Sequence, residues 1–190
     1  MAVGRQGDRL PPIPEHEQTP TQKRSVAALV SGSRRDVRGS FIALLRSPAL
    51  LDRLHPVGEY LRFRSIVPRK LRELAILATS RFWQQTYQWQ AHAASALEAG
   101  LSQTTLDQMA LNHDVSELAE DEHTVLQFCR ELHRDHAVSD PTYEQAKALL
   151  GEDGVVELAS LCGYYTLLAM VLNVARTPPP PHVDLPFSPP

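Results

Sequence analysis

An all-α fold is predicted for this 190-residue chain by three observations. Apolar residues recur at helical spacing, as Leu71, Leu74, Ala75 and Ala78 do at i, i+3, i+4 and i+7. Helix-start and helix-stop residues punctuate the chain: Thr19-Pro20, Pro48, Pro68, Ser102 and Ser139-Asp140-Pro141 as starts, Gly100 and Gly151 as stops. No stretch shows the sustained alternation or the turn spacing of strands.

The first twenty or so residues are polar and proline-punctuated, an arm expected to stay mobile or to lie across a neighbouring subunit. The chain divides into this arm (1–22), a helical domain (23–176) and a proline-rich C-terminal arm (177–190). Thr19-Pro20 reads as an N-cap with proline at N1, starting a helix to about Leu29 that Ser31-Gly32-Ser33 ends. Phe41 to Arg46 and Pro48 to Phe63 follow, the second with Leu50, Leu51, Leu54, Val57 and Leu61 at helical spacing. Pro68 opens the helix that carries Glu73. After a break around Arg81 to Gln85, the helix of His92 runs through Glu98 and stops at Ala99-Gly100. Its Ala91, Ala93, Ala94 and Ala96 are small enough to admit another helix closely.

Ser102 caps a short helix over Thr104 to Leu111. From Ser116 to His133, Leu118, Val125, Leu126, Cys129 and Leu132 keep helical spacing, and Glu117, Glu120, Asp121 and Glu122 gather where the helix dipole favours acids. Ser139-Asp140-Pro141 starts a helix to Leu150, Gly151 stops it, and Val155 to Ala175 is the last. The tail from Thr177 holds seven prolines in fourteen residues, an extended arm whose Val183, Leu185 and Phe187 are free to dock on this or a neighbouring subunit.

A composition of 43% hydrophobic residues can fill one sizeable core, and a formal charge of −3 offers no electrostatic reason for nucleic-acid binding. The one basic cluster, Arg34, Arg35 and Arg38, reads as a solvated loop. The N-terminus has no continuous apolar run of the secretory type, so a cytoplasmic location is expected. Val155 to Ala175 is the most apolar stretch, but Glu157, Ser160, Thr166 and Asn173 interrupt it; a buried helix is expected, not a membrane span. Cys129 and Cys162 are too far apart for a Cys-x-x-Cys motif and are expected as reduced, buried thiols.

Candidate chemistry concentrates between Glu73 and Ser102. Glu73 shares a helix face with Leu77 and Ser80, which tucks its carboxylate against apolar neighbours, while Gln85, Gln88 and His92 stand at i−7, i−4 and i with Trp89 beside them. A shielded carboxylate beside an imidazole is an acid/base pair in the making. His133 and His136 at i, i+3, with His123 ten residues earlier, lack any accompanying metal motif, and histidines in a last helical turn suit the dipole; no metal is expected.

Glu73, Tyr87-Gln88-Trp89, His92, Ala96 and Gly100-Leu101-Ser102 resemble the signature of the carboxymuconolactone decarboxylase family, which includes the alkylhydroperoxidase-D-like proteins. The resemblance runs from about Arg38 to Asn173. Ser47-Pro48, Gly58 to Phe63 and Leu71 to Ala75 contribute upstream, and Gly163-Tyr164-Tyr165 downstream. It implies an alkylhydroperoxidase-D-like helical bundle whose Glu73 and His92 helices form a central hairpin. It also implies a homo-oligomer, a trimer or hexamer, with sites near subunit contacts and a pocket for a small-molecule substrate.

In the family's peroxidase branch a Cys-x-x-Cys pair precedes the histidine; here those positions fall on Gln85 and Gln88, which disfavours thiol peroxidase chemistry of that kind. In the other large branch a glutamate stands where this chain has Gln88, and an amide carries no titrating proton. The resemblance therefore leaves Glu73 and His92 as catalytic residues. Gln85, Tyr87 and Gln88 are the expected hydrogen-bonding groups toward substrate, and Trp83 and Trp89 the apolar walls. A cofactor-independent acid/base enzyme is expected, a lyase or isomerase performing decarboxylation, isomerisation or lactone opening on a small carboxylated metabolite. The alternatives are an alkylhydroperoxidase-type antioxidant activity and a non-catalytic small-molecule-binding protein.

Overall fold

A computed structural model describes residues 7–31, 36–179 and 186–188, and among these there are eight α-helices, one short 3-10 turn at Glu15–Glu17 and no strand. The all-α expectation is borne out. Helix α1 (Pro20–Ser31) starts where a reciprocal cap satisfies its first donors: Gln22 N donates to Thr19 Oγ1 at 3.2 Å, and Thr19 N donates to Gln22 Oε1 at 2.9 Å. Helices α2 (Ser40–Leu44) and α3 (Pro48–Phe63) follow, then α4 (Arg69–Phe82) and α5 (Thr86–Glu98). Ser102 caps α6 (Gln103–Ala110) by accepting from Thr105 N at 2.9 Å. Helices α7 (Glu120–Asp135) and α8 (Asp140–Ala175) complete the order.

Helix α4 is the axis of the bundle, packed by α5, α6, α7 and α8. Its Leu71, Leu74, Ala75, Ile76 and Leu77 are wholly buried, and burying a leucine side chain contributes about 1.5–3 kcal/mol. The pairs Ser80–Gln88, Glu73–His92 and Arg69–Glu98 step away from the α4–α5 turn together on both helices, so the two form an antiparallel hairpin. The central hairpin implied by the family resemblance is present.

Helix α8 is long and apolar enough to cross a membrane by length and composition, but it bends and packs against α2, α3, α4 and α7 as the wall of the core. The bend is at Gly151, whose φ of 73° belongs to the left-handed region that glycine enters without strain. The expected stop is therefore real, although the helix resumes at once. At Gly58, α3 approaches α8 so closely that a methyl group there would meet the Tyr164 ring and hydroxyl.

Several boundaries differ from expectation. Helix α7 begins at Glu120, not Ser116, because Ser116 N turns back to Gln108 Oε1 and Ala119 N is capped by Glu122 Oε2. The N-terminal arm does not hang free: Arg9 N donates to Ala175 O at 2.8 Å, Arg46 donates to Pro11 O at 2.6 Å, and Ile13 packs on the core. Ala91, Ala93 and Ala94 line a cleft, while Ala96 is buried in the core. In the C-terminal arm Phe187 docks edge-on to Trp89, with ring centroids 5.3 Å apart, and lies under the Arg81 guanidinium. Gly32 and Ser33 of the expected α1 stop, Arg34 and Arg35 of the basic cluster, and Val183 and Leu185 of the tail lie outside the described residues.

The α7–α8 corner is locked by Glu131, a buried carboxylate that accepts from Ser139 N (2.8 Å), Thr142 Oγ1 (2.8 Å) and Gln127 Nε2 (2.9 Å). The Ser139 N–H above all holds its carboxyl down at about 2, burial opposing. A depressed folded-state value stabilises the fold above the ordinary carboxylate range, and that contribution is lost as pH falls through about 2. Glu131→Gln is expected to lower stability at neutral pH by about 1–3 kcal/mol and to flatten the acid limb of stability against pH, as urea unfolding at several pH values will show. Gly58→Ala should cost about 1–3 kcal/mol by overpacking α3 on α8, readable as a lowered Tm.

Candidate functional site

The turn between α4 and α5 is tied to α8 by side chains. Gln85 is the N-cap of α5: its Oε1 accepts from Tyr87 N at 2.9 Å, and its Nε2 donates to Asn173 Oδ1 at 2.6 Å. Asn173 Nδ2 donates to Trp83 O at 3.1 Å, and Trp83 Nε1 donates to Thr166 Oγ1 at 3.1 Å. Gln85 and Trp83, expected to touch substrate, are thus turned to α8 and do not line the cleft. Gln85 precedes the first helical residue, so the i−7 face relation to His92 does not apply to it.

With the turn fixed, the hairpin brings Glu73 on α4 against His92 on α5. Glu73 Oε2 lies 2.7 Å from His92 Nδ1, and each residue is only 5% exposed. The imidazole also meets the edge of Tyr165 from α8, with ring centroids 5.1 Å apart. One turn earlier on α5, Gln88 is held at both ends of its amide. Oε1 accepts from Ser80 Oγ at 3.0 Å, and Nε2 donates to Tyr165 O at 3.1 Å. Gln88 therefore pins α5 between α4 and α8.

His92 forms part of the wall of a cleft of about 630 Å³ that runs along α5. Tyr87, Trp89 and the two alanines flanking His92 share that wall, and Leu168 and Tyr165 of α8 face it. Burial raises the Tyr87 phenol above its ordinary range, so at neutral pH it is a neutral hydrogen-bonding group. Arg62, Arg38 and Asp107 also line the cleft. Arg62 lies over the Phe63 ring at 5.1 Å, and Arg38 stands 3.4 Å from Asp36.

Of the residues expected at the site, Glu73, Tyr87, Gln88, Trp89 and His92 are brought together. Tyr165 and Arg62 were not anticipated, and Arg38 was read only as loop. Periodicity alone carries no sign of them, because it does not say which helix faces His92 across the cleft. Among the described residues no three His, Cys, Asp or Glu side chains gather as metal ligands.

Residues 48–128 match the carboxymuconolactone decarboxylase family. Among solved structures, a protein of unknown function from Agrobacterium tumefaciens, described as a putative antioxidant defence protein AhpD, superposes with a TM-score of 0.65 at 15% identity, covering 74% of this chain and 96% of that one. The apo debrominase Bmp8 superposes with a TM-score of 0.67 at 11% identity, covering 90% of this chain and 92% of its own. No curated protein sequence matches. The sequence match takes in Glu73 and His92, and both superpositions share the all-helical fold around them. The segment 48–128 is thus similar to the carboxymuconolactone decarboxylase family, and the chain has an all-helical, alkylhydroperoxidase-D-like fold.

Proposed function

We propose that this protein is a cofactor-independent acid/base enzyme that acts on a small carboxylated molecule bound along α5. The Glu73–His92 contact of 2.7 Å carries this reading. With Nδ1–H donating to the Glu73 carboxylate, the imidazole is fixed in one tautomer and Nε2 becomes the nitrogen that exchanges a proton with a bound molecule. The carboxylate also stabilises the imidazolium whenever Nε2 takes up a proton. Both groups are shielded, so their interaction is stronger than it would be in water.

Decarboxylation, isomerisation and lactone opening of a small acid each leave a carbanion or enolate that must be protonated, or begin by taking a proton from carbon or oxygen. Nε2 of His92 performs either step. Arg62 and Arg38 attract the carboxylate of the substrate, Trp89 and Leu168 supply apolar surface, and the Tyr87 phenol supplies a hydrogen bond. Gln88 takes no part in proton transfer, since its amide has no titrating proton and is held by Ser80 and Tyr165. A homo-oligomer belongs to the same reading. Tyr60, Ile66 and Val156 leave apolar surface exposed around Glu157, which binds Tyr60 Oη and Ile66 N.

A panel of small lactone and keto acids is the direct test. His92→Gln is expected to lower kcat/KM by about 10²-fold or more, and Glu73→Gln by a smaller factor, with Tm kept within a few degrees of wild type. Turnover that survives His92→Gln rejects the acid/base role. Saturable binding without turnover by the wild-type protein shows a binding protein in place of an enzyme.

A further inference from the structure

Cys129 lies on α7 and Cys162 on α8, 33 positions apart in sequence, yet their Sγ atoms stand 3.5 Å apart in the core. Both are free thiols, at 0% and 1% exposure. Polar groups gather on them as they do not around ordinary core residues. The Thr79 hydroxyl on α4 donates to Ala75 O at 2.9 Å, so its oxygen accepts from His133 Nε2, also at 2.9 Å. His133 stacks on Phe82 with ring centroids 4.9 Å apart. Contact with Cys129 above all lowers the Cys162 thiol below its ordinary range, burial opposing. Cys129 is pushed up by its contact with Cys162 and by burial. A second cavity, of about 400 Å³, reaches the Cys129 side of the pair; Cys129 and His133 line it with Phe82, Met109, Arg81 and Arg130.

We propose that Cys129 and Cys162 form a dithiol that a small hydroperoxide entering this cavity converts into a disulfide joining α7 to α8. The Cys129 sulfur, which lines the cavity, attacks one peroxide oxygen and gives up its proton. The O–O bond breaks, and the departing alkoxide or hydroxide takes up a proton, leaving a sulfenic acid and an alcohol or water. The second sulfur then attacks the sulfenic sulfur, its own proton and the expelled hydroxyl leaving as water. In total, two thiols and one hydroperoxide give one disulfide, one alcohol or water, and one further water. The sulfurs lose two electrons and the peroxide gains two.

The sulfurs need to close only from 3.5 Å to the bonded distance of about 2.05 Å. Burial selects the oxidant, because hydrogen peroxide or a small alkyl hydroperoxide can reach thiols that a bulky disulfide cannot. The same burial shields the product from bulky thiol reductants. The pair is therefore a lasting lock between two helices and not a centre for rapid turnover.

Reduced wild-type protein, freed of reductant and titrated with hydrogen peroxide, tests this. The expected result is loss of both thiols at one equivalent, a mass decrease of about 2 Da with no oxygen added, and a cross-linked peptide containing both cysteines. The oxidised protein should melt about 5–10 °C higher. Cys162→Ser should stop at a sulfenic acid on Cys129 that a dimedone probe traps, with no rise in Tm. Thiols that survive peroxide in the folded protein, separate sulfinic acids at the two positions, or a disulfide between two chains overturns the proposal. The wild-type thiol count and peptide map decide it even if a serine variant fails to fold.

Discussion

Helix α4 is enclosed by α5, α6, α7 and α8, so every polar group on its inner turns must find its partner inside the protein. Three of its residues meet that demand in different directions. Glu73 reaches His92 on α5, Ser80 reaches Gln88 on α5, and Thr79 reaches His133 on α7. Each pairing fixes one neighbour relative to α4. The same three points are where the proposed chemistry sits: a carboxylate–imidazole pair, an amide pin and the polar edge of two thiols. Enclosure of one helix thus produces both the architecture and the reactive groups.

The hairpin and its carboxylate–imidazole pair were legible in the sequence for a physical reason. Glu73 and His92 lie on consecutive helices joined by a very short turn, and a short turn fixes the register in which two antiparallel helices face each other. The reading failed where it treated Gln85 as a helical residue. As an N-cap, Gln85 directs its side chain to Tyr87 N and Asn173 and away from the face that carries His92. Trp83 followed it, because the turn that holds both is bound to α8.

Contacts across long sequence separations were not legible. Helix α8 is apolar on nearly all sides, so the pattern of its residues does not reveal its rotation about its axis. That rotation is what sets the Tyr165 ring on His92 and the Cys162 sulfur on Cys129. The cysteines were correctly expected to be buried and reduced, but counting spacings along the chain cannot detect a thiol pair built from two helices. Arg62 escaped for a related reason: it is an unremarkable basic residue in the last turn of α3, and only the folded arrangement of the helices brings it to the cleft.

Stability alone is a poor explanation for Glu73 and His92. Removing a carboxylate and an imidazole from water costs several kcal/mol per charged group, and apolar residues of similar size in such positions are often as stabilising. The hairpin does not need the pair to hold its register, because Gln88 already ties α5 to both α4 and α8 with two hydrogen bonds and no charge. The inward polar residues of α5 therefore divide their work. Gln88 fixes the helix, while His92, paired through Nδ1 with the Glu73 carboxylate, is set in the wall of a cleft that basic residues also line. An arrangement that is dispensable for packing and positioned for proton exchange is what an acid/base site requires.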